Sequence, residues 1–151
     1  MEVLSKSLAE TKAVAKDFLV KLVNPEFAAA NRGATVVGLH GDLGSGKTTF
    51  TQAAAESLGI KDRVTSPTFV IMKKYEITKP GGDWKYLIHI DAYRLEKAEE
   101  LAKLNWSELV EDQNNLILIE WPERVAEVLP PNLISINFKF IDEVIRQISY
   151  E

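Results

Sequence analysis

Gly41-Asp42-Leu43-Gly44-Ser45-Gly46-Lys47-Thr48 fits the pattern G-x-x-x-x-G-K-[S/T], and the residues on either side decide how it is read. Thr35-Val36-Val37-Gly38-Leu39-His40 is an apolar, strand-like run feeding into it. Thr48 and Thr49 open a helix that continues as a helical run from Phe50 to Leu58, closed by Gly59. A glycine-rich surface turn carrying a lysine needs neither flank; a phosphate-binding loop needs both. Its glycines let successive backbone N–H groups turn inward around phosphates, Lys47 reaches the outer phosphates, and the Thr48 hydroxyl is placed to ligate Mg²⁺. The helix N-terminus adds a favourable dipole for the anion. Gly41, Asp42, Leu43, Gly44, Ser45, Gly46, Lys47, Thr48 and Thr49 are therefore the expected contacts to a nucleoside triphosphate.

Such a site needs carboxylates to hold Mg²⁺ and to orient an attacking water. In an open α/β sheet they project from the carboxyl ends of strands beside the loop. Leu87-Ile88-His89-Ile90-Asp91 and Leu116-Ile117-Leu118-Ile119-Glu120 are both apolar runs ending in an acid. Asp91 and Glu120 are the two candidates, and spacing alone does not assign metal to one and water to the other. Ser66-Pro67-Thr68-Phe69 follows the first loop-bearing helix, where many phosphate-loop enzymes carry a segment that senses the terminal phosphate. Ser66 and Thr68 have the hydroxyls for that, and equally for local bonds in a proline turn. His89 is read as a hydrogen-bonded strand residue, and Trp84, Trp106 and Trp121 as packing.

The rest of the chain completes an α/β pattern. Ser7 caps a helix running to about Val23, with Leu8, Ala15, Phe18, Leu19 and Leu22 on its apolar face. Asn24-Pro25 ends it, and a loop to Gly33 follows. Phe69 to Thr78 reads as a strand that turns at Lys79-Pro80-Gly81-Gly82-Asp83 and returns through Trp84 to Ile90. Leu95 to Leu104 and Trp106 to Glu111 read as short helices, and Leu116 to Ile119 as a buried central strand. Leu133 to Phe140 and Val144 to Tyr150 form a terminal hairpin. The expected fold is an α/β sandwich of the P-loop NTPase type: a central mixed sheet flanked by helices, with antiparallel hairpins at the edge.

At 151 residues, 46% hydrophobic and 26% charged, the composition is that of one globular domain spanning 1–151. No apolar stretch approaches membrane-spanning length, and Met1-Glu2-Val3-Leu4-Ser5-Lys6 has no signal-peptide character, so a cytoplasmic protein without membrane partners is expected. With no cysteine the chain has no disulfide, thiolate zinc site or cysteine nucleophile, and two histidines leave little for a transition metal. A formal charge of −4 argues against gripping nucleic acid unaided; RNA contact is expected through a partner protein.

Four blocks taken together, the phosphate loop through Phe50, Thr65-Ser66-Pro67-Thr68-Phe69, His89-Ile90-Asp91-Ala92-Tyr93-Arg94 and Glu120-Trp121-Pro122-Glu123-Arg124, resemble the bacterial TsaE (YjeE) ATPase family in content, order and spacing. The resemblance spans nearly the whole chain. It implies an ATPase needed for threonylcarbamoyladenosine modification of tRNA at adenosine 37, working with TsaD and TsaB and touching tRNA only through that complex. It further implies that ATP and Mg²⁺ are the cofactors and that Leu43 to Thr48 contact phosphates. Thr48 with Glu120 would bind Mg²⁺, Asp91 would be the second acid required for hydrolysis, and Ser66 to Thr68 a switch-like segment. Lys47, Asp91 and Glu120 thus carry the expected catalysis, with Asp91 kept as a further candidate metal ligand. The chain departs from the family in its long loop from Asn24 to Gly33. In the last hairpin the family's nucleotide-facing arginine is matched by Asp142-Glu143, with Arg146 displaced.

A small-molecule kinase is the enzyme alternative, since the same loop serves phosphoryl transfer to acceptors. The five arginines, Arg32, Arg63, Arg94, Arg124 and Arg146, form no run that reads as a kinase lid. A GTP switch is the binding-module alternative, and the Asn-Lys-x-Asp guanine motif is absent from the sequence.

Overall fold

A computed structural model describes residues 1–24, 33–62, 64, 71–79 and 83–150. Ser66 and Thr68, with the rest of the expected switch segment, lie outside the described residues, as do most of the 25–33 loop and the 80–82 turn. The elements are β1 (Glu2–Ser5), α1 (Leu8–Leu22), β2 (Thr35–His40), α2 (Lys47–Ser57), β3 (Met72–Glu76), β4 (Tyr86–Asp91), α3 (Glu99–Ala102), α4 (Trp106–Glu111), β5 (Asn115–Glu120), a 3₁₀ turn (Pro122–Val128), β6 (Ile134–Phe140) and β7 (Arg146–Tyr150).

All seven strands form one sheet in the order β1-β7-β6-β2-β5-β4-β3. The inner strands β6, β2, β5 and β4 are parallel, while β3, β7 and β1 pair antiparallel at the two sides. This is the expected mixed sheet with antiparallel edges. Side chains alternate between two cores, as a period of two requires. Val37, Leu39, Leu87, Leu116, Leu118 and Ile136 pack under α1 and α2. Val36, Ile88, Ile90, Ile117 and Ile119 pack under Leu95, Leu101, Trp106 and Val125 on the opposite face. Every residue of β5 is buried, because it is covered on both faces.

Helix α1 starts where Ser7 accepts a hydrogen bond from the Glu10 N–H at 3.1 Å. Its buried face is Thr11, Val14, Ala15, Phe18, Leu19 and Leu22. Leu8 does not belong to that face: it sits in the first turn, ahead of the first buried residue, and is exposed. Helix α2 ends where Gly59, at φ +72°, lets its own N–H reach the Glu56 carbonyl and that of Ile60 reach the Ala55 carbonyl. Phe50 of α2 meets Phe18 of α1 edge-on, centroids 5.8 Å apart, and Phe138 of β6 at 5.3 Å.

Three elements differ from the sequence-based expectation. Strand β1 pairs with β7 from Glu2↔Ser149 to Ser5↔Arg146, although its four residues carry no pattern of their own. The run Leu95 to Leu104 is helical only over Glu99–Ala102, so Leu95 and Leu101 reach the core from a largely turn-like segment. Strand β7 starts at Arg146 rather than Val144, because the Asp142 carboxylate accepts the N–H groups of Val144 and Ile145 at 2.8 Å and closes a turn there. Among the described residues, no helix is long and apolar enough to cross a membrane.

Phe50 is wholly buried at the meeting point of α1, α2 and the sheet. Phe50→Ala is expected to cost about 3–5 kcal/mol, read from the denaturant midpoint at unchanged m-value.

Candidate active site

Strand β2 runs out of the sheet at His40, and the chain turns at once into the glycine loop. A Cβ on Gly41 would lie 2.6 Å from both the Phe138 carbonyl oxygen and Ser45 Oγ, so only glycine lets the loop leave the sheet this closely. Gly44 and Gly46 follow at φ +76° and +105°, conformations that expose successive N–H groups on one side. Helix α2 begins at Lys47 with no side-chain cap, which leaves its first N–H groups available to an anion.

Lys47 is buried, and its ammonium donates to the carbonyls of Gly41 and, at 2.9 Å, Asp42. The ammonium also lies 4.3 Å from the centroid of the Trp121 ring. Burial lowers its pKa from 10.5, and the charges of Glu120, Glu123, Asp91 and Asp42 oppose that shift. The ammonium is therefore folded back on its own loop, where a phosphate would compete with two carbonyl oxygens and an aromatic face.

The next residue, Thr48, donates its hydroxyl to Glu120, 3.2 Å from Oε1 and 3.4 Å from Oε2. Glu120 is itself buried, and its Oε2 lies 2.6 Å from His89 Nε2. Asp91 is the register partner of Glu120 across β4 and β5, so both acids stand side by side at the carboxyl ends of parallel strands. Asp91 Oδ1 accepts the Tyr93 N–H at 3.0 Å, which turns the chain away from the sheet and keeps the carboxylate at its rim. A hydroxyl and a buried carboxylate sharing a hydrogen bond are hard oxygen donors of the type Mg²⁺ takes. Among the described residues no cluster of three or more His, Cys, Asp or Glu side chains is arranged to hold a metal.

Leu43, Gly44, Ser45, Gly46, Lys47, Thr48, Thr49, Asp91 and Glu120 all line one cavity of about 350 Å³. Gly41 and Asp42 contribute through the carbonyls that hold Lys47. The same cavity is lined by Ile71, Tyr93, Arg94, Trp121 and Arg146, which the site expected from sequence did not include. Trp121 packs against the core as expected and also walls the cavity: at φ +59° it reverses the chain after Glu120, and its ring stands 5.1 Å from that of Tyr93. An aromatic placed directly after a strand-end acid was the available signal. Arg146 carried no such signal, because its position depends on pairing with both Phe140 and Ser5. Its side chain crosses to Gly46, and its Nε is buried without a hydrogen-bond partner. The arginine that seemed displaced along the chain thus reaches the loop after all.

A Cβ on Gly46 would lie 2.5 Å from Arg146 Nε, whereas one on Gly44 meets nothing within 4 Å. Gly44→Ala is expected to cost about 1 kcal/mol, the left-handed penalty alone. Gly46→Ala should cost about 2–3 kcal/mol, and a double-mutant cycle with Arg146→Ala should return a coupling of about 1 kcal/mol in thermal or denaturant unfolding.

Comparison with known proteins places the chain in a family. The family model for the threonylcarbamoyl adenosine biosynthesis protein TsaE matches residues 5–148. The tRNA threonylcarbamoyladenosine biosynthesis protein TsaE of Bacillus subtilis is 38% identical over 141 residues, covering 93% of this chain and 78% of that protein. Its counterpart in Rickettsia prowazekii is 35% identical over 137 residues, covering 90% of this chain and 84% of that protein. The crystal structure of Bacillus subtilis YdiB superposes with a TM-score of 0.70 at 33% identity, covering 99% of this chain and 83% of that one. A family match over nearly the whole chain, together with relatives of this identity and coverage on the same fold, means that this chain belongs to the TsaE family of tRNA threonylcarbamoyladenosine biosynthesis proteins.

Proposed function

We propose that the chain is a Mg²⁺-dependent ATPase, acting as one phosphate-loop domain over residues 1–151 in the cytoplasm. It would support threonylcarbamoyladenosine formation at adenosine 37 of tRNA together with TsaD and TsaB, meeting tRNA only through that assembly. The observation that carries this reading is the convergence of Lys47, Thr48, Asp91 and Glu120 on one cavity at the end of β2.

The phosphates of ATP would accept the N–H groups of Leu43 to Thr48, and the Lys47 ammonium would exchange the Gly41 and Asp42 carbonyls for the outer phosphates. Thr48 and Glu120 would hold Mg²⁺, which when bound neutralises charge between the β- and γ-phosphates. Asp91, at the rim beside Glu120, would orient the attacking water and accept its proton. The Arg146 guanidinium, lying against Gly46, is a candidate to balance charge that builds on the leaving phosphate. Ser66 and Thr68 keep the switch role that the family resemblance implies. An isolated phosphate-loop site lacks full charge stabilisation of the transition state, so hydrolysis by the chain alone would be slow; a partner that supplies a positive group in trans would add on the order of 10³- to 10⁵-fold, and ordering Ser66 to Thr68 is the other route by which it could act.

Steady-state ATP hydrolysis with Mg²⁺, measured alone and with the cognate TsaB and TsaD, tests this. Strong stimulation is expected, with Lys47→Ala as the blank and Glu120→Ala impairing hydrolysis far more than metal-free ATP binding. Intact ATP binding without stimulation would instead direct the search to a phosphoryl acceptor.

Lys47 supplies a pH signature. Only its ammonium form serves a phosphate, and in the free chain burial holds its pKa below 10.5. ATP affinity should therefore fall as pH rises through that lowered value, with uptake of a proton on binding, earlier than for an exposed lysine. Calorimetric titration in buffers of different ionisation enthalpy checks this, and Lys47→Arg should flatten the decline.

A further inference from the structure

His89 stands in the middle of β4 with its side chain wholly buried, on the face shared by Leu87 and Leu118. Its Nε2 lies 2.6 Å from Glu120 Oε2, while its Nδ1 is buried with no hydrogen-bond partner. With a carboxylate as the acceptor, Nε2 carries the proton that makes this bond, and Nδ1 is left without a partner. Its neighbours Leu87 and Leu118 on the same face are apolar and leave no polar atom unmet. A buried polar group with one atom unsatisfied costs stability, so its retention here points to the bond made by the other atom. That bond ends on the carboxylate that faces Thr48.

We infer that His89 is a positioning residue, which by donating Nε2–H to Glu120 Oε2 sets the rotation of that carboxylate and presents Oε1 toward Thr48 and the nucleotide's cation. The terminal torsion of a glutamate is broad, and without the histidine this carboxylate would be held only by Thr48, whose hydroxyl lies 3.2 Å from Oε1 and 3.4 Å from Oε2 and so fixes neither oxygen alone. In this cavity it would turn toward Lys47, whose ammonium already feels the Glu120 charge. The histidine holds Oε2 from behind, inside the sheet, leaving Lys47 on the carbonyls of Gly41 and Asp42. His89 touches neither phosphate nor metal in this arrangement. It acts through Glu120, as the outer partners of metal ligands do.

The inference rests on the Mg²⁺-ATP reading of the cavity, and ATP binding by the full chain separates the two. Equilibrium titration with ATP is done in EDTA and at increasing Mg²⁺ for the wild type, His89→Leu, His89→Met and His89→Gln. The apolar variants are expected to bind metal-free ATP within about twofold of wild type, while the Mg²⁺ concentration for half-maximal tightening rises about 10- to 100-fold. His89→Gln, whose amide retains an N–H donor, should stay within about threefold of wild type in Mg²⁺ requirement. Unchanged Mg²⁺ dependence in both apolar variants overturns the inference. So does loss of metal-free ATP binding in both, which would make His89 a core residue only. A wild type whose ATP affinity ignores Mg²⁺ would instead remove the metal from the proposed function, and the role of His89 with it.

Discussion

The pairing of β2, β5 and β4 in parallel register is the constraint on which the rest of the site depends. Leu39 lies opposite Glu120, and Glu120 opposite Asp91, so the loop that leaves β2 emerges beside one carboxylate and one strand away from the next. Parallel strands carry all their carboxyl ends to the same edge of the sheet, and a crevice opens where the connections diverge to opposite faces. Here α2 leaves β2 over one face, while the turn after β5 and the segment after β4 cover the other. A slip of one residue in either pairing would turn Glu120 or Asp91 to the wrong face.

Electrostatics explains why the loop lysine is held as it is. Burial disfavours the Lys47 ammonium, and the surrounding acids together offset part of that cost. Glu120 is committed to Thr48 and His89, so the lysine finds its hydrogen bonds on its own loop. On the proposed ATP-binding reading, an arriving phosphate would replace both carbonyls with stronger, charge-assisted bonds. The aromatic surface of Trp121 beside the ammonium adds attraction without competing for its protons.

Much of this was legible from particular residues. The strand, loop and helix from Thr35 to Leu58 were readable because glycine, lysine and β-branched residues impose local geometry that tolerates few alternatives. The two acids were readable because each closes an apolar run, and the alternation that buries Leu116 to Ile119 on both faces is visible in composition alone. Strand β1 was not readable: a four-residue edge strand owes its existence to the free side of β7 rather than to its own propensity. The helix around α3 was overcalled for a related reason, since Leu95 and Leu104 on either side of it satisfy the core from turns as well as they would from a longer helix.

By itself the sequence determined the glycine-rich loop between strand and helix, the acids at the strand ends and the two-sided burial of the central strands, because each follows from backbone conformation or side-chain period within a few consecutive residues. Tertiary structure alone decided that Arg146, a hundred residues from Gly46, lies against it, that Trp121 and Tyr93 wall the cavity, and that His89 spends its single hydrogen bond on Glu120. Those contacts depend on strand order and register, which are set by how the whole sheet buries its apolar faces and leave no mark on the local sequence.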